Sequence, residues 1–374
     1  MKFEKILNKN GNIPILVTKN LPGEKWITIL KKANCKIYIA DYNNGYPLSK
    51  NDLKQLLDME NFTGVISQLS ESWDKEILEY AASKGLKYIS NYAVGYNNID
   101  TNTAKKLNIK VSNTPGVLTD TTAELAVALT FSAGRRIVEM DKFTREGKFK
   151  GWLPELGMGI LFEGSNIGII GAGRIGISYM IKMAGIGANI LYYSKSGKKQ
   201  ILHNYIEQIN NARKILNKKP ISCEFYENLD KMIPKCDVIS IHTPLTPETE
   251  NMINKNRINS MKQNAILINT ARGPIIEEDA LIEALKNKKI FAAGLDVFNN
   301  EPNINPELFK LENVVITPHI GSATKWTRES MAIIAALNLK GMILNYPPAE
   351  KIEPILDDLL ALKNLKVIPS LIVG

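Results

Sequence analysis

The chain has 374 residues, 44% of them apolar and 23% charged, which supports two domains of ordinary size and excludes a disordered or low-complexity protein. Its net charge of +9 is carried by lysines scattered among Asn and Ile. With no basic block and no interleaved aromatic stripe, that charge argues against a nucleic-acid partner and suits a small carboxylate and a phosphorylated cofactor.

Short apolar runs alternate with helical spacing from the start. Residues 15–18, 36–40, Gly64–Ser67, 87–90 and Lys110–Ser112 read as strands, and 50–57, 75–84 and 101–108 as helices. This alternation predicts a parallel sheet covered by helices on both faces. One long helix is expected over 120–146, with Leu125, Ala126, Val127, Leu129 and Phe131 crowding its first half, as in a core or oligomer helix. A second alternation follows, with strands at 167–170, Asn189–Tyr193, 238–242, 265–269, 291–295 and 314–317 and helices at 175–183, 253–260 and 278–285. Between the second and third of these strands, residues 195–219 form a basic insertion. Ile201, Tyr205, Ile209, Ala212 and Leu216 give it helical spacing, and it reads as a decorated surface excursion. A last helix, 325–346, is expected to pack back on the first unit. The resulting fold class is α/β, two doubly wound parallel-sheet domains.

Gly171-Ala172-Gly173-Arg174-Ile175-Gly176 follows an apolar strand and opens a helix, the context in which such a triplet holds a dinucleotide. Gly171 permits the tight turn, Gly173 the approach of a pyrophosphate and Gly176 close helix–strand packing. The helix N-terminus adds unpaired N–H groups and partial positive charge. After the next strand, where an NAD-specific protein places an acid for the ribose 2′-hydroxyl, this chain has Ser194-Lys195-Ser196 and then Lys198 and Lys199. A hydroxyl and an ammonium would hold a 2′-phosphate, so NADP(H) is favoured over NAD(H).

Three polar residues lie just past strand ends, where ligands sit in open α/β sheets: Arg272, Glu301 and His319. Reducing a 2-keto acid needs a cation for the carboxylate and carbonyl, a proton donor for the nascent alkoxide, and a group that keeps that donor charged. Arg272, His319 and Glu301 suit those tasks in turn. His203 falls in the basic insertion; His242, before Thr243-Pro244, is expected to line the nucleotide pocket. Cys35, Cys223 and Cys236 form neither a disulfide framework nor a metal-ligand pair, so no metal is expected. The N-terminus lacks an apolar signal core and no stretch is long and apolar enough to cross a membrane.

With these residues stand the segments 91–100 (NYAVGYNNID), 113–125 (NTPGVLTDTTAEL), 268–274 (INTARGP), 294–298 (GLDVF) and 318–324 (PHIGSAT). Through them the chain resembles the D-isomer-specific 2-hydroxyacid dehydrogenases along nearly its whole length, and within these the plant-type hydroxypyruvate reductases (glycerate dehydrogenases), whose insertion the basic segment also resembles. The resemblance implies a discontinuous, flavodoxin-like substrate domain (residues 1–118 and 320–374) and a Rossmann nucleotide domain (119–319), with a cleft between. It implies catalysis by Arg272, Glu301 and His319, and substrate carboxylate binding by Arg272 and the backbone N–H groups of Val94 and Gly95. The cofactor-binding set it implies is Thr122, Gly171, Gly173, Arg174, Ile175, Gly176, Ser194, Lys195, His242, Thr243, Pro244, Thr249, Thr270, Ala271, Arg272, Asp296, His319 and Gly321, with Asp296 meeting the nicotinamide amide. It further implies a homodimer through residues 121–136 and reduction of hydroxypyruvate to D-glycerate and of glyoxylate to glycolate. The alternatives are a lactate- or phosphoglycerate-type dehydrogenase and a dinucleotide-sensing, corepressor-like binding module. The plant-type enzymes tend to carry an acid where Ser194 stands and often end in a peroxisomal signal; Ile372-Val373-Gly374 is not one, so a cytoplasmic location is expected.

Overall fold

A computed structural model describes residues 2–41 and 47–374. The chain divides into two compact units, one of Met1–Leu118 with Ser322–Gly374 and the other of Thr119–Gly321.

The first unit carries β1 (Lys2–Leu7), β2 (Ile13–Val17), β3 (Cys35–Asp41), β4 (Gly64–Ser67), β5 (Tyr88–Asn91) and β6 (Lys110–Ser112), side by side in the order β1-β3-β2-β4-β5-β6. All pairs are parallel except β1 with β3. Without β1, the order is that of a flavodoxin-like doubly wound sheet. Ile15, Leu16 and Val17 are wholly buried, as a strand covered on both faces requires. The sequence reading missed β1 because its Lys and Glu residues break the apolar run; its register slips between Phe3 and Lys5, and charge and bulge together blunt an exposed edge. Helix Lys25–Lys32 was missed too, being short and lacking a side-chain cap. Helix Lys325–Ile343 is buried nearly all round and packs on β4, β5 and β6 and on helix Lys25–Lys32.

The second unit carries β7 (Asn166–Ile170), β8 (Asn189–Tyr193), β9 (Cys223–Tyr226), β10 (Val238–Ile241), β11 (Ile266–Asn269), β12 (Ala292–Leu295) and β13 (Val314–Ile316). Their order, β13-β12-β11-β10-β7-β8-β9, is all parallel and is that of a Rossmann sheet. It reverses between β7 and β10, so their carboxyl ends flank a crevice. Both units are thus the doubly wound α/β folds expected.

The helix expected over 120–146 is two. Helix Thr119–Gly134 packs Ala123, Ala126, Leu129 and Ala133 into the second unit's core, against β11, β12 and helix Arg174–Gly185. Arg136 then adopts a left-handed conformation (φ +52°), a C-terminal stop, and its guanidinium bonds Glu139. Helix Ile137–Arg145 beyond it buries nothing. The basic insertion is an ordered helix, Gln200–Ile215, that buries only Leu202 and Ile206 and leads into edge strand β9. That four-residue strand was not foreseen.

Candidate active site

The glycine turn after β7 shows three different constraints. Gly171 has φ +100°, and a Cβ there would lie 2.8 Å from the His242 carbonyl carbon. A Cβ on Gly176 would lie 2.0 Å from the Gly171 oxygen. Gly173 is instead open: a Cβ would meet nothing within 4 Å, and Gly173 is the N-cap of helix Arg174–Gly185, which no side chain caps. A tight turn with an open, uncapped helix start is a cradle of the kind that takes a pyrophosphate, so these residues fit a dinucleotide.

The neighbouring strand ends complete this side. Burial pushes the His242 imidazole down to about 3, so it is neutral at pH 7; its Nε2 lies 2.8 Å from Ser240 Oγ and its ring 5.1 Å from that of Tyr179. Beyond it, Thr249 Oγ1 donates to the Pro244 carbonyl (2.7 Å) and accepts from the Thr246 N–H (2.8 Å), folding the Thr243–Pro244 loop on itself. At the end of β8 the buried Ser194 hydroxyl lies 3.0 Å from that of Ser196, which accepts from Lys199 Nζ at 2.7 Å. The sequence puts no acid near Lys195, but the fold brings one into its field. The Glu248 carboxyl is held below the usual range, first by Thr246 and then in part by the Lys195 charge.

The three strand-end residues singled out in the sequence lie together in the second unit. After β11, the fully buried Asn269 clamps its own loop, Oδ1 accepting from the Ala271 N–H (3.0 Å) and Nδ2 donating to the Arg272 carbonyl (2.8 Å). The guanidinium of Arg272 donates to the Ala271 carbonyl (2.7 Å); burial lowers its pKa, and the charge of Glu301 works the other way. A Cβ on Gly273 would lie 2.0 Å from the Phe298 carbonyl carbon, so only glycine lets the loops after β11 and β12 touch.

On the β12 loop, Glu301 Oε1 accepts from the Phe298 N–H (2.9 Å) and Oε2 lies 2.7 Å from His319 Nδ1. Burial alone would raise this carboxyl. The hydrogen bond and charge of His319, the Phe298 N–H and the Arg272 charge outweigh it, and Glu301 sits below its ordinary value. His319 itself holds φ +53°. Asp296, 1% exposed, grips the chain on both sides of it: Oδ1 accepts from Thr317 Oγ1 (2.6 Å) and the Ile320 N–H (2.8 Å), and Oδ2 from the Gly321 N–H (2.8 Å). Burial raises the Asp296 pKa against those bonds. Thr122 Oγ1 donates to the Gly321 carbonyl at 3.1 Å, and Thr270 Oγ1 is buried with no partner among the described residues.

Sequence reasoning missed the holding roles of Asn269, Thr317 and Asp296. The one available signal was a buried polar residue closing an otherwise apolar strand. Val94 and Gly95 belong to the first unit, on the loop after β5. Among the described residues no group of three or more His, Cys, Asp or Glu side chains could hold a metal, and no helix is long and apolar enough to cross a membrane.

Comparison with known proteins points to one family. Residues 127–321 match the family "D-isomer specific 2-hydroxyacid dehydrogenase, NAD binding domain". The chain is 41% identical to a glycerate dehydrogenase of Cucumis sativus, covering 94% of this chain and 93% of that one. It is 46% identical to a glyoxylate reductase of Thermococcus litoralis over 74% of this chain and 78% of that one. A solved NADPH-dependent glyoxylate/hydroxypyruvate reductase of Sinorhizobium meliloti, in complex with NADP and malonate, superposes with a TM-score of 0.72 at 25% identity, covering 90% of this chain and 95% of that one. From the Rossmann order, the glycine cradle, the arginine–glutamate–histidine cluster and these likenesses, the chain belongs to the D-isomer-specific 2-hydroxyacid dehydrogenase family of oxidoreductases.

Proposed function

We propose that this protein reduces hydroxypyruvate to D-glycerate and glyoxylate to glycolate, with NADPH favoured over NADH. The observation that carries the reading is the 2.7 Å contact of His319 with Glu301, beside Arg272, at the carboxyl ends of β11, β12 and β13. The curated relatives act on these same acids by name.

A nicotinamide cofactor held here would supply the hydride for the carbonyl carbon. Gly171, Gly173, Arg174, Ile175 and Gly176 would hold the pyrophosphate; Ser194 and Lys195 the adenosine ribose and its 2′-phosphate; His242, Thr243, Pro244 and Thr249 the adenine side. Thr122, Thr270, Ala271, Asp296 and Gly321 would hold the nicotinamide end. Arg272 binds the substrate carboxylate and polarises the carbonyl with a planar fork of donors. The N–H groups of Val94 and Gly95, on the loop after β5, are further donors proposed for a substrate carboxylate. His319 gives its proton to the nascent alkoxide. Glu301 holds the imidazole by Nδ1 and leaves Nε2 to donate.

A homodimer is part of the proposal. The apolar face of helix Thr119–Gly134 is buried in its own unit. The exposed apolar side chains Ile137, Val138, Trp152, Leu153 and Leu161 follow it and would supply the contact. A cytosolic setting is proposed as well, where three free cysteines stay reduced. The test is a set of initial rates with hydroxypyruvate, glyoxylate and pyruvate, each with NADPH and NADH. Turnover is expected to be best with the first two acids and NADPH. A kcat/KM clearly higher with NADH overturns the cofactor preference, and no turnover with any acid overturns the function.

A further inference from the structure

The loop after β5 presents an arrangement that the chemistry above does not use in full. A trans peptide points its C=O and the next N–H in opposite directions. Three successive carbonyls of this loop are tied down. The Ala93 carbonyl accepts from the Thr114 N–H at 2.8 Å. The Val94 carbonyl accepts from Asn113 Nδ2 at 2.8 Å, and the Gly95 carbonyl from Asn91 Nδ2 at 2.9 Å. All three donors lie at the ends of the paired strands β5 and β6. The N–H groups of Val94, Gly95 and Tyr96 therefore turn away from that flank. Among the described residues no group accepts from any of them. Such a run of backbone donors is a concavity for an anion.

The two asparagines are themselves held. Asn91 is wholly buried, and its backbone carbonyl accepts from the Ala93 N–H at 2.8 Å, so it binds the loop at both ends. Its amide pairs with that of Asn98 (3.3 Å), and Asn98 Nδ2 reaches the Glu71 carbonyl at 3.0 Å. Asn113 Oδ1 accepts from Ser370 Oγ, which leaves its NH2 facing Val94. Asn338 Nδ2 donates to the Asn113 carbonyl at 2.7 Å and its Oδ1 accepts from the Ser370 N–H at 2.8 Å.

We infer that Asn91 and Asn113 are positioning residues that aim three backbone N–H groups, those of Val94, Gly95 and Tyr96, at the anionic end of the substrate, so that Tyr96 supplies a further donor. This rests on the reading that the loop binds the substrate carboxylate. Neither asparagine touches substrate; each acts through the peptide plane it fixes. An aspartate in either place has the same shape but sets a carboxylate oxygen against a carbonyl and frees the plane to turn.

The test is steady-state kinetics of the full chain carrying Asn91→Asp or Asn113→Asp, with circular dichroism and melting curves alongside. The KM for hydroxypyruvate should rise about tenfold, as for a lost donor of ordinary strength, while the KM for NADPH stays within about twofold. Unchanged keto-acid KM in variants that melt like the parent overturns the inference, as does a fall in kcat with both KM values unchanged. Should neither variant fold, the parent chain labelled with 15N at Val, Gly and Tyr is titrated with oxalate. Shifts of all three amides support the cradle, and a silent Tyr96 amide overturns it. Absence of any keto-acid turnover by the parent would instead defeat the functional reading, and the oxalate titration would still judge the loop.

Discussion

Two loops at carboxyl strand ends are made rigid by opposite means. In the second unit the His319 turn is held by charge: Asp296 grips the backbone around it and Glu301 the ring. In the first unit the 93–96 loop is held by neutral amides, Asn91 and Asn113. Carboxylates titrate and amides do not, so the groups that hold the His319 turn directly can respond to pH while the clamps of the 93–96 loop stay neutral; the titrating group behind that loop is the buried Glu71, pushed up to about 7 by burial, whose backbone carbonyl accepts from Asn98. A group that must carry a moving proton calls for ionisable neighbours; one that need only offer fixed dipoles does not.

The comparison breaks first at His319. His319→Ala should lower kcat about 10²–10⁴-fold, the usual worth of a positioned proton donor, while the nucleotide still binds in a fluorescence titration. Turnover near that of the parent would remove charge from the account. Asp296→Asn comes next. An amide can accept for only one side of the grip, leaving a buried N–H of Ile320 or Gly321 unmet, at a cost of about 1–3 kcal/mol. Thermal unfolding should report that loss and kcat should fall about tenfold; an unchanged melting curve would mean the turn holds itself.

Glu301→Gln should have the smallest effect on rate and the clearest on pH. Without the carboxylate the ring loses the partner that orients it at Nδ1, so kcat for reduction should fall by less than it does for Asp296→Asn. The stability sign follows from the depressed carboxyl of Glu301. Its contribution is present above the ordinary carboxylate value of 4.5 and is lost as pH falls through the lower folded value. The parent's stability advantage over Glu301→Gln should therefore shrink below about pH 4.5 in acid-unfolding curves. Acid-unfolding curves of parent and variant that differ by the same amount at every pH would sever the pairing from stability.

What could be read from the residues divides along physical lines. Continuous apolar runs announced the central strands, since burial on both faces leaves little choice of residue. The edges β1 and β9, half solvated and short, carried no such signal. The stop at Arg136 was hidden because a left-handed arginine has no composition cue of the kind glycine provides. Arg272, Glu301 and His319 could be named from their place after strands, as could the glycine turn. The residues that hold them could not: Asn269, Asp296 and Asn91 act through backbone groups that only the fold brings near, and an asparagine at a strand end reads the same whether it clasps a loop or faces water.

The backbone of His319 carries one more lesson. At φ +53° an imidazole residue stands where glycine or asparagine would rest more easily. Neither of those can deliver a proton at neutral pH. A library of this protein sorted only for survival of heating would drift at that position toward inert but sturdier chains, so any search for a hardier catalyst has to keep a turnover screen in the loop.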